Sequence, residues 1–101
     1  MIRRRKVGVK WIRRTVKARL YKIPFGYSFY FPPDQGLDGL ENAKWLIVNV
    51  GDYFFPGKHH RKGRGWLVTV PRWARGWLEE LITDGKLEPK KDVKITIFIV
   101  P

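Results

Sequence analysis

The sequence predicts a mostly β chain with one short α-helix, built from two pseudo-repeated strand-Pro-turn-strand units. Three observations lead there. Short runs of β-branched, aromatic and Leu residues recur along the chain, each closed by Pro or Gly. Only the segment after Pro71 has a helical apolar period, with Trp73, Trp77 and Leu81 at i, i+4 and i+8. Gly26 stands six residues before Pro32, as Gly65 stands six before Pro71, and a β-favouring run fills each interval.

Taken in order, residues 1–6 read as a basic N-terminal arm carrying Arg3, Arg4, Arg5 and Lys6. Residues 7–55 form a first β unit. Within it 16–23 alternates as a strand, with Val16, Ala18 and Leu20 inward and Lys17, Arg19 and Tyr21 outward. Pro24-Phe25-Gly26 makes a turn, 27–31 a strand ended by Pro32-Pro33, and 34–41 a loop or one helical turn. A strand follows over 44–50, then a Gly51-Asp52 turn, then a short strand end at 53–55 closed by Pro56-Gly57. Residues 56–65 read as a basic loop. Residues 66–101 give a strand-helix-strand unit: strand 66–70, helix 72–83, a turn and a last strand over 93–100. Pro71 suits the first turn of the helix because its missing N–H costs nothing there. Glu79 and Glu80 are expected to face solvent.

At 101 residues one domain is expected, with one modest core. The formal net charge of +12 comes from 21 Lys and Arg against 9 Asp and Glu. Residues 1–22 hold ten of the Lys and Arg and no acid. Such a balance points to a polyanionic partner. There is no cysteine, which removes disulfides and thiol chemistry. Ser28 is the only Ser and Gln35 the only Gln, and Lys, Arg and Ile are abundant, which suggests a thermophilic source. No apolar run is long enough to span a membrane, and no signal peptide is read at the start, so no membrane partner is expected. The expected location is the cytoplasm, or the nucleoid within it.

The order Gly63-Arg64-Gly65, strand to Val70-Pro71, short helix, Asp84-Gly85 turn and last strand resembles the half-unit of the AbrB/SpoVT-type swapped-hairpin DNA-binding domains. The likeness runs from Gly63 to Phe98. That family usually builds its core from two chains. The resemblance therefore implies a small barrel-like or swapped-hairpin-like β core, made here from two degenerate copies in one chain, with a homodimer as a further expectation. It also makes Arg64, aligned with the family's Gly-Arg, the residue expected to touch base edges.

The expected function is non-catalytic nucleic-acid binding, as a DNA-binding transcriptional regulator or architectural protein, with duplex DNA favoured over RNA. The expected contacts are Arg3, Arg4, Arg5, Lys6, Arg13, Arg14, Lys17, Arg19, Lys58, Arg61, Lys62, Arg64, Arg72 and Arg75. Of these, Lys58, Arg61, Lys62, Arg64, Arg72 and Arg75 are expected to share one face. Alternatives are an RNA- or ribosome-binding protein, a small basic nuclease using His59 or His60, and a viral structural or inhibitor protein. His59 and His60 read first as exposed loop histidines near phosphate, because no Cys or nearby acid completes a ligand set. Asp84, Glu88 and Lys90 lie in a turn around Pro89 rather than on one strand face, and Asp34, Asp38 and Glu41 read as solvated acids. No catalytic residue, metal or cofactor is expected. Trp45 and Trp77 are expected in the core, while Trp11 and Trp66 could stack on bases if exposed.

Overall fold

The computed structural model describes residues 11–37 and 40–101. The expected arm at residues 1–6, with Arg3, Arg4, Arg5 and Lys6, and also Asp38, lie outside the described residues. Strands β1 (Ile12–Ile23), β2 (Gly26–Phe31), β3 (Trp45–Val50), β4 (Tyr53–Lys62), β5 (Gly65–Thr69) and β6 (Asp92–Val100) form a closed antiparallel barrel. Their order around it is β1-β2-β5-β4-β3-β6. A 3-10 turn at Leu40–Asn42 lies between β2 and β3. A second, Arg72–Ala74, leads into helix α1 (Arg75–Thr83) between β5 and β6. The chain is thus mostly β with one short helix around a barrel core.

The two halves are related by a pseudo-two-fold axis. Exchanging β1 with β4, β2 with β5 and β3 with β6 leaves the barrel order unchanged. The register obeys the same axis. Phe29 faces Val68 across β2 and β5, and these are 39 residues apart, like Gly26 and Gly65 or Pro32 and Pro71. The hairpins turn over Pro24-Phe25 and Gly63-Arg64, at equivalent positions. Tyr27, Phe29 and Phe31 are buried, and so are their counterparts Trp66, Val68 and Val70. A closed barrel has no free edge strand and buries one face of every strand, which explains the alternation in each run.

Three expectations need correction. Residues 56–65 are not a loop. β4 runs unbroken from Tyr53 to Lys62, pairing with β3 up to Gly57 and with β5 from Lys58. Pro56-Gly57 marks the bend where the strand changes neighbour. Pro is tolerated there because β5 has not yet begun to pair. Gly57 is required because a Cβ would collide with the Val68 side chain.

The helix, expected to pack through Trp77 and Leu81, packs through Leu81 but not Trp77. Its buried stripe is Ala74, Leu78 and Leu81, and Trp73 and Trp77 are 62% and 42% exposed. The first residues form a 3-10 turn, whose roughly 120° per residue shifts the apolar phase from that of an α-helix. Trp77 instead stacks on Tyr53, 5.3 Å between ring centroids, and meets Trp73 edge-on. Trp45 is also outside the core, 60% exposed, because Leu46, Val48 and Val50 take the inward positions of β3.

Candidate nucleic-acid interface

Residues directly opposite on antiparallel strands share a face. On the outside of β1-β2-β5-β4 one row reads Arg19, Tyr30, Leu67, His60, and the next reads Tyr21, Ser28, Thr69, Lys58. Lys62 continues the outer face of β4 toward the turn, while Lys17 lies opposite Lys94 of β6. Cations therefore stand on the two flanking strands, with Tyr21 beside them on β1, and Tyr30, Leu67, Thr69 and the buried Ser28 occupy the middle. At about 4.8 Å per strand, β1 and β4 are about 14 Å apart along the sheet. None of β1, β2, β4 and β5 contains an acid. Tyr30 lies along Gly65, whose missing side chain makes room for the ring: a Cβ there would be 2.8 Å from the phenol oxygen.

Asp92 of β6 lies at the edge of this face, opposite Arg19, which holds it at 2.6 Å. The hydrogen bond from Arg19 lowers the pKa of the Asp92 carboxyl and raises that of the guanidinium. The local charge of Asp92 is thereby spent within the protein, at the cost of engaging Arg19. Lys17, Lys58, Lys62 and Lys94 make no ion pair among the described residues.

Arg13 also lies outward on β1, opposite Phe98, beside exposed Trp11. Arg14 belongs elsewhere. Its guanidinium donates to the Gly36 carbonyl at 3.1 Å, at one end of the barrel. Arg61 and Arg64 share that end, around the loop of Pro32 to Leu37. Arg61 stacks 4.6 Å above the Trp66 ring, so Trp66 is buried and spoken for rather than open to a base. Arg64 is exposed at the tip of the Gly63-Arg64 turn.

The expected single face of Lys58, Arg61, Lys62, Arg64, Arg72 and Arg75 is not formed. Arg64 precedes β5 and Arg72 follows it, which separates them by roughly 20 Å at about 3.4 Å per residue. At the far end Arg72 lies over exposed Phe25, 5.9 Å from the centroid, and Arg75 pairs with Glu79 at 3.4 Å. The basic residues thus form an outer sheet face and two distinct ends.

His59 and His60 are on a strand, not a loop, and point to opposite sides of it. His59 is half-buried, 2.8 Å from the Leu40 carbonyl through Nε2 and packed against Trp66. His60 belongs to the outer face. No group of three or more His, Cys, Asp or Glu side chains able to hold a metal comes together among the described residues. Nor is any helix there long and apolar enough to cross a membrane. Tyr30 on this face, Lys94 beside it on β6 and exposed Trp45 on β3 are outward residues that reading for charge runs passes over. Strict alternation in the adjoining buried runs is the signal that could have found them. No family model, curated protein or solved structure matches the chain.

Proposed function

We propose that this protein binds nucleic acid without catalysing a reaction on it, as a DNA-binding regulator or architectural protein. The observation that carries the reading is the outer face of β1-β2-β5-β4, whose strands contain no acid, with Lys17, Arg19 and Tyr21 on β1, Lys58 and Lys62 on β4, and Tyr30 between them. Cations on two parallel lines suit phosphates, which position a protein on its target. Arg64 at the turn tip is the residue proposed for base edges, in keeping with the Gly-Arg resemblance. Arg13 borders the face, Arg14 lies with Arg61 and Arg64 at one end of the barrel, and Arg72 and Arg75 lie at the far end, outside the proposed main contact.

RNA is the second reading, favoured by the half-exposed Tyr21 and Tyr30 on this face. Aromatic side chains on an open sheet suit unpaired bases better than a duplex. Affinity measured against salt for a DNA duplex, an RNA hairpin and a single strand separates the two. Each phosphate contact steepens the log–log slope by about 0.9 on duplex DNA and about 0.7 on single strands. The regulator reading requires tighter binding to one duplex sequence than to another, with Arg64→Ala removing that difference. Equal affinity for unrelated duplexes together with preference for the hairpin would establish the RNA reading instead.

A further inference from the structure

The bend of β4 at Pro56-Gly57 opens a cleft between the start of β3 and the end of β5. It encloses about 820 Å³, and its lining includes Lys44, Trp45, Pro56, Lys58, His60 and Thr69. That volume falls in the range of small-molecule pockets. No acid is among the described residues that line it. The floor around Pro56 and Gly57 is apolar, the rim carries Lys44, Lys58 and His60, and Trp45 is 60% exposed beside it.

The pseudo-two-fold axis supplies a comparison within the same molecule. Lys58 is 39 residues beyond Arg19, the offset that relates the two hairpins. Arg19 faces Asp92 across β1 and β6. The β3–β4 ladder stops at Leu46 and Gly57, so the next residues, Trp45 and Lys58, are not paired and both line the cleft instead. At one seam, then, a cation meets an acid and the 2.6 Å ion pair closes it. At the other, the equivalent positions hold Lys58 and the indole of Trp45, and the seam stays open between them. A cation without its acid calls for an external anion, and an exposed indole calls for a flat ring.

We infer that this cleft binds an unpaired nucleobase together with its phosphate. The base stacks on Trp45, and Lys44, Lys58 and His60 receive the phosphate. The inference rests on the nucleic-acid reading and narrows it, since a paired base in a duplex cannot enter. Two sources offer the same chemistry, a free nucleotide and a nucleotide within a single strand.

The test uses the full chain and its Trp45→Ala, Trp45→Phe and Trp45→Asp variants, each verified as folded by circular dichroism. Binding is measured to AMP, to a short single-stranded oligonucleotide and to a DNA duplex. Trp45→Ala is expected to weaken single-strand binding by at least about fivefold, the low end for loss of one base–aromatic stack, with duplex binding unchanged. Trp45→Phe keeps most of the affinity. Trp45→Asp loses it, because the new carboxylate pairs with Lys58 as Asp92 does with Arg19. AMP binding with the same variant order identifies a free-nucleotide site. Binding of the oligonucleotide alone identifies a nucleotide within a strand. If Trp45→Ala binds the single strand as tightly as wild type, the inference is overturned. Duplex binding with no single-strand binding overturns it while leaving the proposed function standing. Failure of every nucleic acid to bind removes both.

Discussion

Leu78 and Trp77 are neighbours on α1 with opposite surroundings. Leu78 is 0% exposed among barrel residues, and Trp77 lies half-open over Tyr53. Leu78→Ala should therefore destabilise by about 2–5 kcal/mol, as for a core cavity, and Trp77→Ala by only about 1–2 kcal/mol. Chemical denaturation of both variants checks the order, and the reverse order would mean that the tryptophans carry the core after all. A second expectation concerns Asp92, whose carboxyl is lowered by the Arg19 hydrogen bond. A lowered carboxyl favours the folded state above the ordinary carboxylate range and loses that effect as pH falls through its depressed value. An NMR titration should find Asp92 below the usual value of about 3.9, and Arg19→Gln should return it there. At this scale the sequence was legible where alternation was strict. Val16, Ala18 and Leu20 read as inward and are buried. The tryptophans were not legible, because an indole suits both a core and a half-wet surface, and hydrophobicity alone cannot choose.

Among the elements, α1 ends as its sequence suggests. Gly85 adopts φ 78°, its N–H bonds to Ile82 O and the Lys86 N–H bonds to Leu81 O, closing a Schellman motif. Gly85→Ala forces a Cβ into the left-handed region and should cost about 1 kcal/mol, read as a lower melting temperature. An unchanged melting temperature would mean that the helix end rearranges freely. β4 was the least legible element. Pro56-Gly57 and the polar run after it carry every local mark of a loop. What keeps them in a strand is non-local: β3 pairs with one half of β4 and β5 with the other. A window of sequence contains none of those partners, so tertiary pairing overrides the local signal. The misreading carried over to the site, since a loop could have gathered Arg61 and Arg64 with Arg72, whereas a strand and the length of β5 keep them apart.

For the whole molecule, the paired Gly-to-Pro intervals carried the most information. They foreshadowed a two-fold relation that the barrel order and register now display, with Phe29 and Val68 meeting at the axis. Charge distribution was legible only in part. The absence of acids from the hairpin strands is visible in the sequence, but which cations share a face depends on the closure of the barrel. The central claim is that the β1-β2-β5-β4 face, rather than positive charge in general, contacts nucleic acid. The most direct measurement compares two double variants of equal charge change, Lys17→Glu with Lys58→Glu on the face, and Arg72→Glu with Arg75→Glu at the far end. Affinity for a DNA duplex and an RNA hairpin is followed against salt. The face variant should lose affinity strongly and flatten the salt slope by about 0.9 for each duplex phosphate contact removed, with the far-end variant changing both much less. Equal losses in the two variants would contradict the account, since binding would then follow net charge and not the face.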